Sequence, residues 1–392
     1  MHRRRNLRCR VQRGARNDRR RVRTVSAPER FPLNRRRCRD VARNVSGHSK
    51  ARFGTLDWIA SHSSRGVRSM SFLSLSDVYR ARRRLAGRAD GTPLVASAAL
   101  SARVGAPVHL KLETLQPTGS FKLRGATNAL AELAAQRVTR VVTASTGNHG
   151  RAVAHAARAL GIDAAVCMSS LVPANKVDAV AALGARVVIV GDSQDDAQVE
   201  ARRLVRDEGY AYVPPFDDPR IIAGQATIGV EILEALPDTA TLVVPLSGGG
   251  LFSGVAFAAK AIRPPIEVIG VSMARGAAMH ASLAAGRPVD VDEQPTLADS
   301  LGGGIGLDNR YTFDMTRALA DDVVLLDEPS IARGIAHAYR EERLVVEGAG
   351  AVGLAALLDE RIVRRDRGGP IVVVVSGANI DMAAHRRLVS EH

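Results

Sequence analysis

The sequence predicts an α/β protein with mostly parallel sheets, because strand-like and helix-like segments alternate along most of its length. Short apolar runs such as residues 138–144 and 371–375 are separated by Ala- and Leu-rich helical patterns of roughly 10–15 residues, as in βαβ units. Several runs are continuously apolar, which is typical of strands buried on both faces. Polar or glycine-rich loops follow them, at the edge where open α/β sheets bind ligands.

The individual elements are predicted from hydrophobic period and from the positions of Gly and Pro. Strands are expected at residues 108–113, 138–144, 164–168, 186–190, 241–246, 267–271, 322–326 and 371–375. Helices are expected at residues 77–85, 126–136, 151–160, 173–183, 195–208, 252–262 and 351–358.

The net positive charge of the chain comes entirely from its first 69 residues. The 392 residues include 55 Lys and Arg against 40 Asp and Glu, and 46% of them are hydrophobic. Residues 1–69 hold 21 of the basic and 4 of the acidic residues, which leaves 34 basic and 36 acidic residues in 70–392. The larger part of the chain therefore lacks the basic character of a nucleic-acid-binding protein.

Residues 1–69 show no sustained apolar periodicity, and we predict that this basic segment is disordered. Three interpretations are open: a nucleic-acid-binding arm, an Arg- and Ser-rich organelle presequence, or upstream sequence with the true start at Met70. A helical pattern begins within a few residues of Met70, which favours the last. Detection of residues upstream of Met70 in the natively expressed protein, by intact mass, would contradict it.

The sequence predicts a cytoplasmic protein that neither spans a membrane nor carries a metal site. No apolar stretch reaches about 18 residues, and the first residues contain no apolar segment of a signal peptide. Cys9 and Cys38 lie in the basic segment and Cys167 in a strand-like run, so there is neither a disulfide framework nor a zinc spacing.

Lys122 lies at the start of a predicted helix, just after a strand and a Pro/Gly turn. A helix N-terminus disfavours positive charge, and partial burial would lower the pKa of this lysine further. An amine with a lowered pKa can form Schiff bases near neutral pH. An ordinary solvated lysine is the alternative when this segment is considered alone.

A glycine loop between the strand at 241–246 and the next helix suits a phosphate group, because its consecutive amides are unobstructed at a helix N-terminus. The loop consists of Ser247, Gly248, Gly249, Gly250 and Leu251. A Walker A loop is excluded, because no Gly-Lys-Ser/Thr follows. A dinucleotide site would need an acidic residue after the next strand, where Ser272 stands. A tight turn without a ligand is the remaining alternative, and a compact phosphate such as that of pyridoxal phosphate fits best.

Five motifs in this order resemble those of fold type II pyridoxal-phosphate enzymes of the serine/threonine dehydratase family. They are residues 120–126 (SFKLRGA), 145–150 (STGNHG), 223–227 (AGQAT), 247–251 (SGGGL) and 376–381 (SGANID). The resemblance implies a fold like that of the tryptophan synthase β subunit, with two three-layer α/β/α domains. The large domain would comprise residues 70–138 and 223–392, and a small mobile domain residues 139–222. Residues 297–313 are similar to the dehydratases of hydroxyectoine utilisation.

The resemblance also implies which residues hold the cofactor. Lys122 would form the Schiff base and, once released by substrate, act as the base for the α-proton. Phe121 would lie against the pyridine ring, Asn148 would bond the 3-hydroxyl group, and the glycine loop would bind the phosphate. Ser376 would meet the pyridine nitrogen with a hydroxyl group. A neutral partner makes the ring a weaker electron sink, which suits β-elimination.

For the substrate, the resemblance implies that Ser145, Thr146 and His149, with the loop backbone, hold its carboxylate. Asn148 is also predicted to bind the substrate. Glu347 matches the family's acidic residue near the active site, and an acid at a helix N-terminus is the alternative for it. Three departures from the family pattern stand out. Thr146 replaces the second catalytic serine of serine racemases, Ser272 replaces an acidic metal ligand, and Ser300 replaces a glycine beside the cofactor.

The predicted function is therefore that of a pyridoxal-phosphate dependent carbon–nitrogen lyase in amino-acid catabolism. It would eliminate water from a small β-hydroxy amino acid such as L-threonine or L-serine and release a 2-oxo acid and ammonia. One alternative is a hydroxyectoine-pathway dehydratase acting on a larger hydroxylated diamino acid derivative. Another is nucleic-acid binding through the basic segment. The resemblance also implies a homo-oligomer, either a dimer or a tetramer.

Overall fold

A six-stranded sheet forms the larger part of the structure, a computed structural model that describes residues 72–89, 91–145, 147–172, 174–364 and 368–392. Its strands are β1 (Leu94–Ala96), β2 (Val108–Leu112), β7 (Thr241–Pro245), β8 (Glu267–Met273), β9 (Asp322–Leu326) and β10 (Ile371–Val375). Their order is β1-β2-β10-β7-β8-β9. Only β1 is antiparallel to its neighbour. The interpretations of residues 1–69 and of Thr146 fall outside the described residues.

A second sheet contains four strands, all of them parallel. They are β3 (Arg140–Ala144), β4 (Asp163–Met168), β5 (Arg186–Ile189) and β6 (Ala211–Tyr212). Their order is β5-β4-β3-β6.

Helices connect the parallel strands, because parallel neighbours need a crossover connection. They are α1 (Leu75–Leu85), α2 (Ala98–Val104), α3 (Lys122–Ala135), α4 (Asn148–Leu160), α5 (Ala174–Ala181), α6 (Gln194–Glu208), α7 (Pro219–Ala235), α8 (Gly250–Ile262), α9 (Ala278–Ala285), α10 (Thr312–Leu319), α11 (Glu328–Arg340), α12 (Gly348–Leu358) and α13 (Met382–Glu391). Single 3₁₀ turns lie at Glu113–Leu115 and Asp299–Leu301.

The six-stranded sheet is covered by helices on both faces. Alternate residues of β10 belong to two hydrophobic cores, with Val372 and Val374 in one and Val373 in the other. The first core includes residues of α7 and α8, and the second includes residues of α11 and α12. The predicted α/β class with three-layer packing and mostly parallel sheets is confirmed.

The four-stranded sheet is layered in the same way. Val166 and Met168 of β4 face a core shared with α3 and α4, whereas Ala165 and Cys167 face α6. All four strands lie within the predicted segment 139–222, but α3 packs on this sheet although it precedes that segment. The domain boundaries themselves stay a prediction.

The connectivity brings several loops to one edge of each sheet. The loops after β3, β7 and β10 follow the carboxyl ends of parallel strands, where ligands bind in open α/β folds. They begin at Ser145, Leu246 and Ser376. Within the described residues, no helix is both long and apolar enough to cross a membrane.

Candidate active site

The loops at the strand ends enclose a cavity of about 1280 Å³. Each predicted site residue that the structure describes contributes to its lining. These residues are Phe121, Lys122, Ser145, Asn148, His149, Ser247, Gly248, Gly249, Gly250, Leu251, Glu347 and Ser376. They come from segments as far apart in sequence as residues 121 and 376, so the fold brings four of the five motifs to one cavity. The fifth motif, residues 223–227, is buried in α7 and does not line the cavity.

Lys122 is the first residue of α3 and is held inside the cavity. Its Nζ donates a hydrogen bond to the Pro215 carbonyl oxygen at 2.6 Å and lies 5.3 Å from the centre of the Phe121 ring. Burial lowers the pKa of Lys122 to about 8, although the charge of Glu347 acts in the opposite direction. A much larger fraction of this amine is therefore neutral near pH 7 than in an exposed lysine.

This pKa predicts how fast the enzyme without its cofactor takes up pyridoxal phosphate. Only the neutral amine attacks an aldehyde, so the rate should rise about tenfold per pH unit below 8 and level off above it. Stopped-flow absorbance after mixing at a series of pH values measures this rate. A rate that continued to rise until pH 10 would show that Lys122 keeps the pKa of an ordinary lysine.

Asn148 and Glu347 form a buried pair beside Lys122. Nδ2 of Asn148 donates to Oε1 of Glu347 at 2.7 Å. Burial raises the pKa of Glu347 to about 7, and the charge of Asp299 adds to this rise, while the Asn148 hydrogen bond opposes it. Glu347 precedes α12 but makes no side-chain capping bond to it. Its carboxyl group therefore faces the cavity and titrates near neutral pH.

His149 is buried and neutral. Burial, together with the neighbouring charge of Lys122, lowers the pKa of His149 to about 3. Nε2 of the ring lies 3.0 Å from the Val213 carbonyl oxygen, which requires the proton on Nε2. Nδ1 is buried without a hydrogen-bond partner in the described residues. In this tautomer Nδ1 accepts a hydrogen bond, so it suits a hydroxyl or ammonium group of a ligand better than a carboxylate.

Ser145 stabilises the loop between β3 and α4. Its side-chain oxygen accepts hydrogen bonds from the backbone amides of Gly150 at 3.1 Å and Gly147 at 3.4 Å. This arrangement turns the first residues of α4 toward the cavity. Thr146 lies outside the described residues, so its predicted contact with the substrate stays a prediction.

The glycine loop lies at the N-terminus of α8, where the first amides of a helix have no intrahelical partner. Gly249 has φ +88°, a conformation that favours glycine, and a Cβ there would lie 2.9 Å from Met279 and from Thr312. A Cβ on Gly250 would lie 2.9 Å from the backbone of Phe216. The loop is thus a close-fitting backbone surface with helix amides directed at one end of the cavity.

Ser376 follows β10 and is 2% exposed. Within the described residues, the hydrogen bond of its hydroxyl group is a long one, 3.4 Å to the Ala349 carbonyl oxygen. The backbone of this residue also fixes the start of α3, since its carbonyl oxygen accepts from the Phe121 amide at 3.0 Å. Ser376 therefore offers a neutral hydroxyl group to the cavity and ties β10 to the residue before Lys122.

Comparison with known proteins agrees with this arrangement. The family model described as pyridoxal-phosphate dependent enzyme matches residues 85–377. A protein of Sinorhizobium fredii provisionally named threonine dehydratase is 57% identical over 83% of this chain and 97% of its own length. The L-threonine ammonia-lyase of Thermotoga maritima is 41% identical over 81% of this chain and 79% of its own. The structure of maize serine racemase covers 81% of this chain and 97% of its own, with 34% identity and a TM-score of 0.75.

The chain belongs to the family of pyridoxal-phosphate dependent enzymes. This confirms the predicted pyridoxal-phosphate family, the enzyme class and the cofactor. The narrower likeness of residues 297–313 to hydroxyectoine-utilisation dehydratases stays a prediction.

The residues of the cavity fit this cofactor. The amine of Lys122 has a lowered pKa, the glycine loop with the α8 amides suits a phosphate, and the Ser376 hydroxyl group suits a ring nitrogen. The buried Nδ1 of His149 has no protein partner among the described residues, as expected for an atom that meets a ligand. Which residue contacts which part of the cofactor stays a prediction.

Gly249→Ala should weaken the binding of pyridoxal phosphate by about tenfold or more, because the new Cβ combines positive-φ strain with crowding against Met279. Gly209→Ala is a matched control, since Gly209 has φ +70° with nothing within 4 Å of its Cβ position. Titration of the cofactor-free enzyme measures both dissociation constants. Equal dissociation constants for the two variants would show that the glycine loop does not bind the phosphate.

Two residues of the cavity could not be identified from the sequence. Pro215, which accepts the Lys122 hydrogen bond, lies in an irregular segment with no periodic pattern. Lys176 of α5 pairs with Asp299 at 3.0 Å across the cavity lining.

Among the described residues, no group of three or more His, Cys, Asp or Glu side chains is arranged to hold a metal ion.

Proposed function

We propose that the chain is a pyridoxal-phosphate dependent ammonia-lyase that eliminates water from L-threonine or L-serine. The observation that carries this proposal is the position of the Lys122 amine in one cavity with Asn148, Glu347, the glycine loop and Ser376. The names and coverage of the Sinorhizobium and Thermotoga relatives support the reaction class. The enamine released after elimination would tautomerise to an imine, and its hydrolysis by one water molecule would give a 2-oxo acid and ammonia.

Different residues of the cavity would have different roles in the elimination reaction. The bound cofactor supplies an electron sink for the substrate's α-carbon. Lys122 Nζ, with a pKa of about 8, takes the α-proton as a general base. Glu347, with a pKa of about 7, would supply a proton to the leaving β-hydroxyl group. Asn148 would bond the 3-hydroxyl group of the cofactor, and the Ser145 loop would orient the substrate carboxylate. Closure of the loops would exclude water from the reacting atoms.

The first test is an absorbance spectrum of the purified protein, followed by titration with L-threonine and L-serine. A band near ~410–420 nm is expected for the lysine-bound cofactor. Release of a 2-oxo acid and ammonia in equal amounts would support the lyase. A band without turnover of either amino acid would contradict the proposed substrates, and no band with added cofactor would contradict the site itself.

A larger substrate, such as a hydroxylated diamino acid derivative, is the second candidate. Ser300 lines the cavity and its Oγ lies 3.5 Å from Nδ2 of Asn148. Its hydroxyl group adds a polar contact at a position where a small substrate needs none. Asp290, Glu293 and Asp308 also line the cavity and would attract a second amino group. Turnover of such compounds, without turnover of threonine, would favour this candidate.

A homo-oligomeric state, a cytoplasmic location and the absence of racemisation complete the proposal. The likeness to maize serine racemase makes the last point worth measuring. Chiral chromatography of L-serine after incubation with the enzyme would detect D-serine if racemisation accompanies elimination. Light scattering of the purified protein would give the number of subunits.

A further inference from the structure

Asn379 follows β10, and both atoms of its side-chain amide are hydrogen-bonded. Its Oδ1 accepts from Nη1 of Arg151 at 2.9 Å, and its Nδ2 donates to the Thr118 carbonyl oxygen at 2.9 Å. A guanidinium group can only donate and a carbonyl oxygen can only accept. These two partners therefore fix which way round the Asn379 amide lies.

The orientation of Asn379 determines that of Asn148. Nδ2 of Asn379 also donates to Oδ1 of Asn148 at 2.6 Å. Because the Asn379 atom is a donor, the Asn148 atom that faces it must be the acceptor. The other end of the Asn148 amide, Nδ2, is then directed at Glu347 and Ser300. The hydrogen bonds that hold Asn379 thus direct the donor end of the Asn148 amide, Nδ2, toward the cavity.

We propose that Asn379 is a positioning residue that fixes the hydrogen-bond direction of Asn148, with Arg151 and Thr118 holding Asn379 in place. The inference rests on the proposed binding role of Asn148 and is independent of the choice of substrate. It also connects the two sheets, because Asn148 and Arg151 belong to α4 beside the four-stranded sheet, whereas Asn379 follows a strand of the six-stranded sheet.

Gly119 provides the space that this arrangement needs. It has φ +74°, and a Cβ at this position would lie 2.8 Å from Oδ1 of Asn379. That distance is shorter than real Cβ contacts. A side chain at residue 119 would therefore push the Asn379 amide away from Arg151, in addition to straining the backbone.

Asn379→Asp tests the proposal because it keeps the acceptor for Arg151 and removes the donor. The Asn148 amide is then expected to turn over, so that its Nδ2 donates to the carboxylate introduced at position 379 and its oxygen faces the cavity. Pyridoxal phosphate should bind about tenfold to a hundredfold more weakly, and the absorbance maximum of the bound cofactor should shift. Titration of the full-length cofactor-free protein and its spectrum provide both measurements.

Asn128→Asp is a matched control. Asn128 is buried, accepts from Nη1 of Arg84 at 3.1 Å and donates to the Arg220 carbonyl oxygen at 2.7 Å, so it has the same two kinds of partner. It does not line the cavity. This variant should lose stability for the same local reason as Asn379→Asp, but cofactor affinity and the absorbance maximum should not change.

A double-mutant cycle with Glu347→Gln tests the direction of the Asn148 amide. At a pH well above 7 the Glu347 carboxyl group is ionised and would repel a turned Asn148 oxygen, whereas the amide introduced by Glu347→Gln could donate to that oxygen. The loss in the folding equilibrium constant caused by Asn379→Asp should therefore be about tenfold smaller in the Glu347→Gln background. Glu347 also accepts a hydrogen bond from the backbone of Asn379, so the same cycle is repeated in an Asn148→Ala background. A coupling that persists there would come from direct repulsion between the carboxyl groups at positions 379 and 347, whereas coupling through Asn148 would vanish. Both cycles are measured by denaturant unfolding of the cofactor-free protein.

The proposal is overturned if Asn379→Asp and Asn128→Asp give the same cofactor affinity and spectrum, or if the stability cost of Asn379→Asp is the same in the wild-type and Glu347→Gln backgrounds. Failure of the proposed lyase reaction would be visible separately. In that case the wild-type protein would not release a 2-oxo acid from threonine or serine, while the unfolding cycle would still report on Asn148.

Discussion

Replacing Lys122 with alanine is expected to reduce the rate of elimination by about 10⁴-fold or more and to remove the absorbance band near ~410–420 nm. Lys122 would provide both the covalent attachment of the cofactor and the base for the α-proton, and its amine is the group held 2.6 Å from the Pro215 carbonyl oxygen. Spectra and single-turnover assays on the variant, with excess pyridoxal phosphate, measure the two losses.

Lys122→Arg is the control for charge. A guanidinium group keeps the positive charge at the start of α3, but it is not deprotonated in proteins and forms no Schiff base. The Arg variant should therefore be as inactive as the Ala variant, and its spectrum should equally lack the band. An active Arg variant would mean that Lys122 acts only through its charge and that another amine holds the cofactor.

The fold class was predictable, and so was the meeting of the Lys122 segment, the glycine loop and Ser376 in one cavity, because each has a local signal. Lys122 stands between an alternating strand and a helix, the glycine loop has three consecutive glycines, and β10 is an unbroken run from Ile371 to Val375. Each of these patterns depends on neighbouring residues only. The order of the motifs, rather than any one of them, identified the family.

Elements that are buried on all sides were harder to predict. The helix α7 spans Pro219–Ala235 and is buried along nearly its whole length, so it has no polar stripe and no clear period. In the sequence, the Ala223–Thr227 segment within it is recognisable only as a motif. The two-residue strand β6 is too short for any periodic signal.

Contacts between distant residues could not be predicted from the sequence. Asn379 is one residue of a short loop motif, and nothing local indicates that it meets Arg151, 228 positions earlier. The raised pKa of Glu347 likewise follows from burial, which the fold decides. The lowered pKa of Lys122, in contrast, was predicted from its place at the start of a helix. Sequence patterns indicated the residue types at the site. Tertiary packing determines their protonation states and the directions of their hydrogen bonds.

Arg124, two residues after Lys122, is the centre of a buried charge network below the site. Its guanidinium group makes two hydrogen bonds to Glu113, each of 2.8 Å, and further hydrogen bonds to Glu231 at 2.5 and 2.8 Å. Lys111 also donates to Glu231, at 2.6 Å. The side chains of Arg124 and Glu113 are 1% and 0% exposed. Two positive and two negative groups are thus balanced away from water.

Arg124→Ala is therefore expected to lower the free energy of unfolding by about 3–5 kcal/mol, since it leaves Glu113 buried with an uncompensated charge. The Arg82–Glu234 pair is a suitable comparison, because its side chains are 42% and 48% exposed and Arg82→Ala should cost no more than about 1 kcal/mol. Denaturant unfolding of the cofactor-free variants measures both. Equal costs would mean that water or another group neutralises Glu113. A large cost together with a lower turnover rate would indicate that this network also holds the start of α3, and with it Lys122, in place.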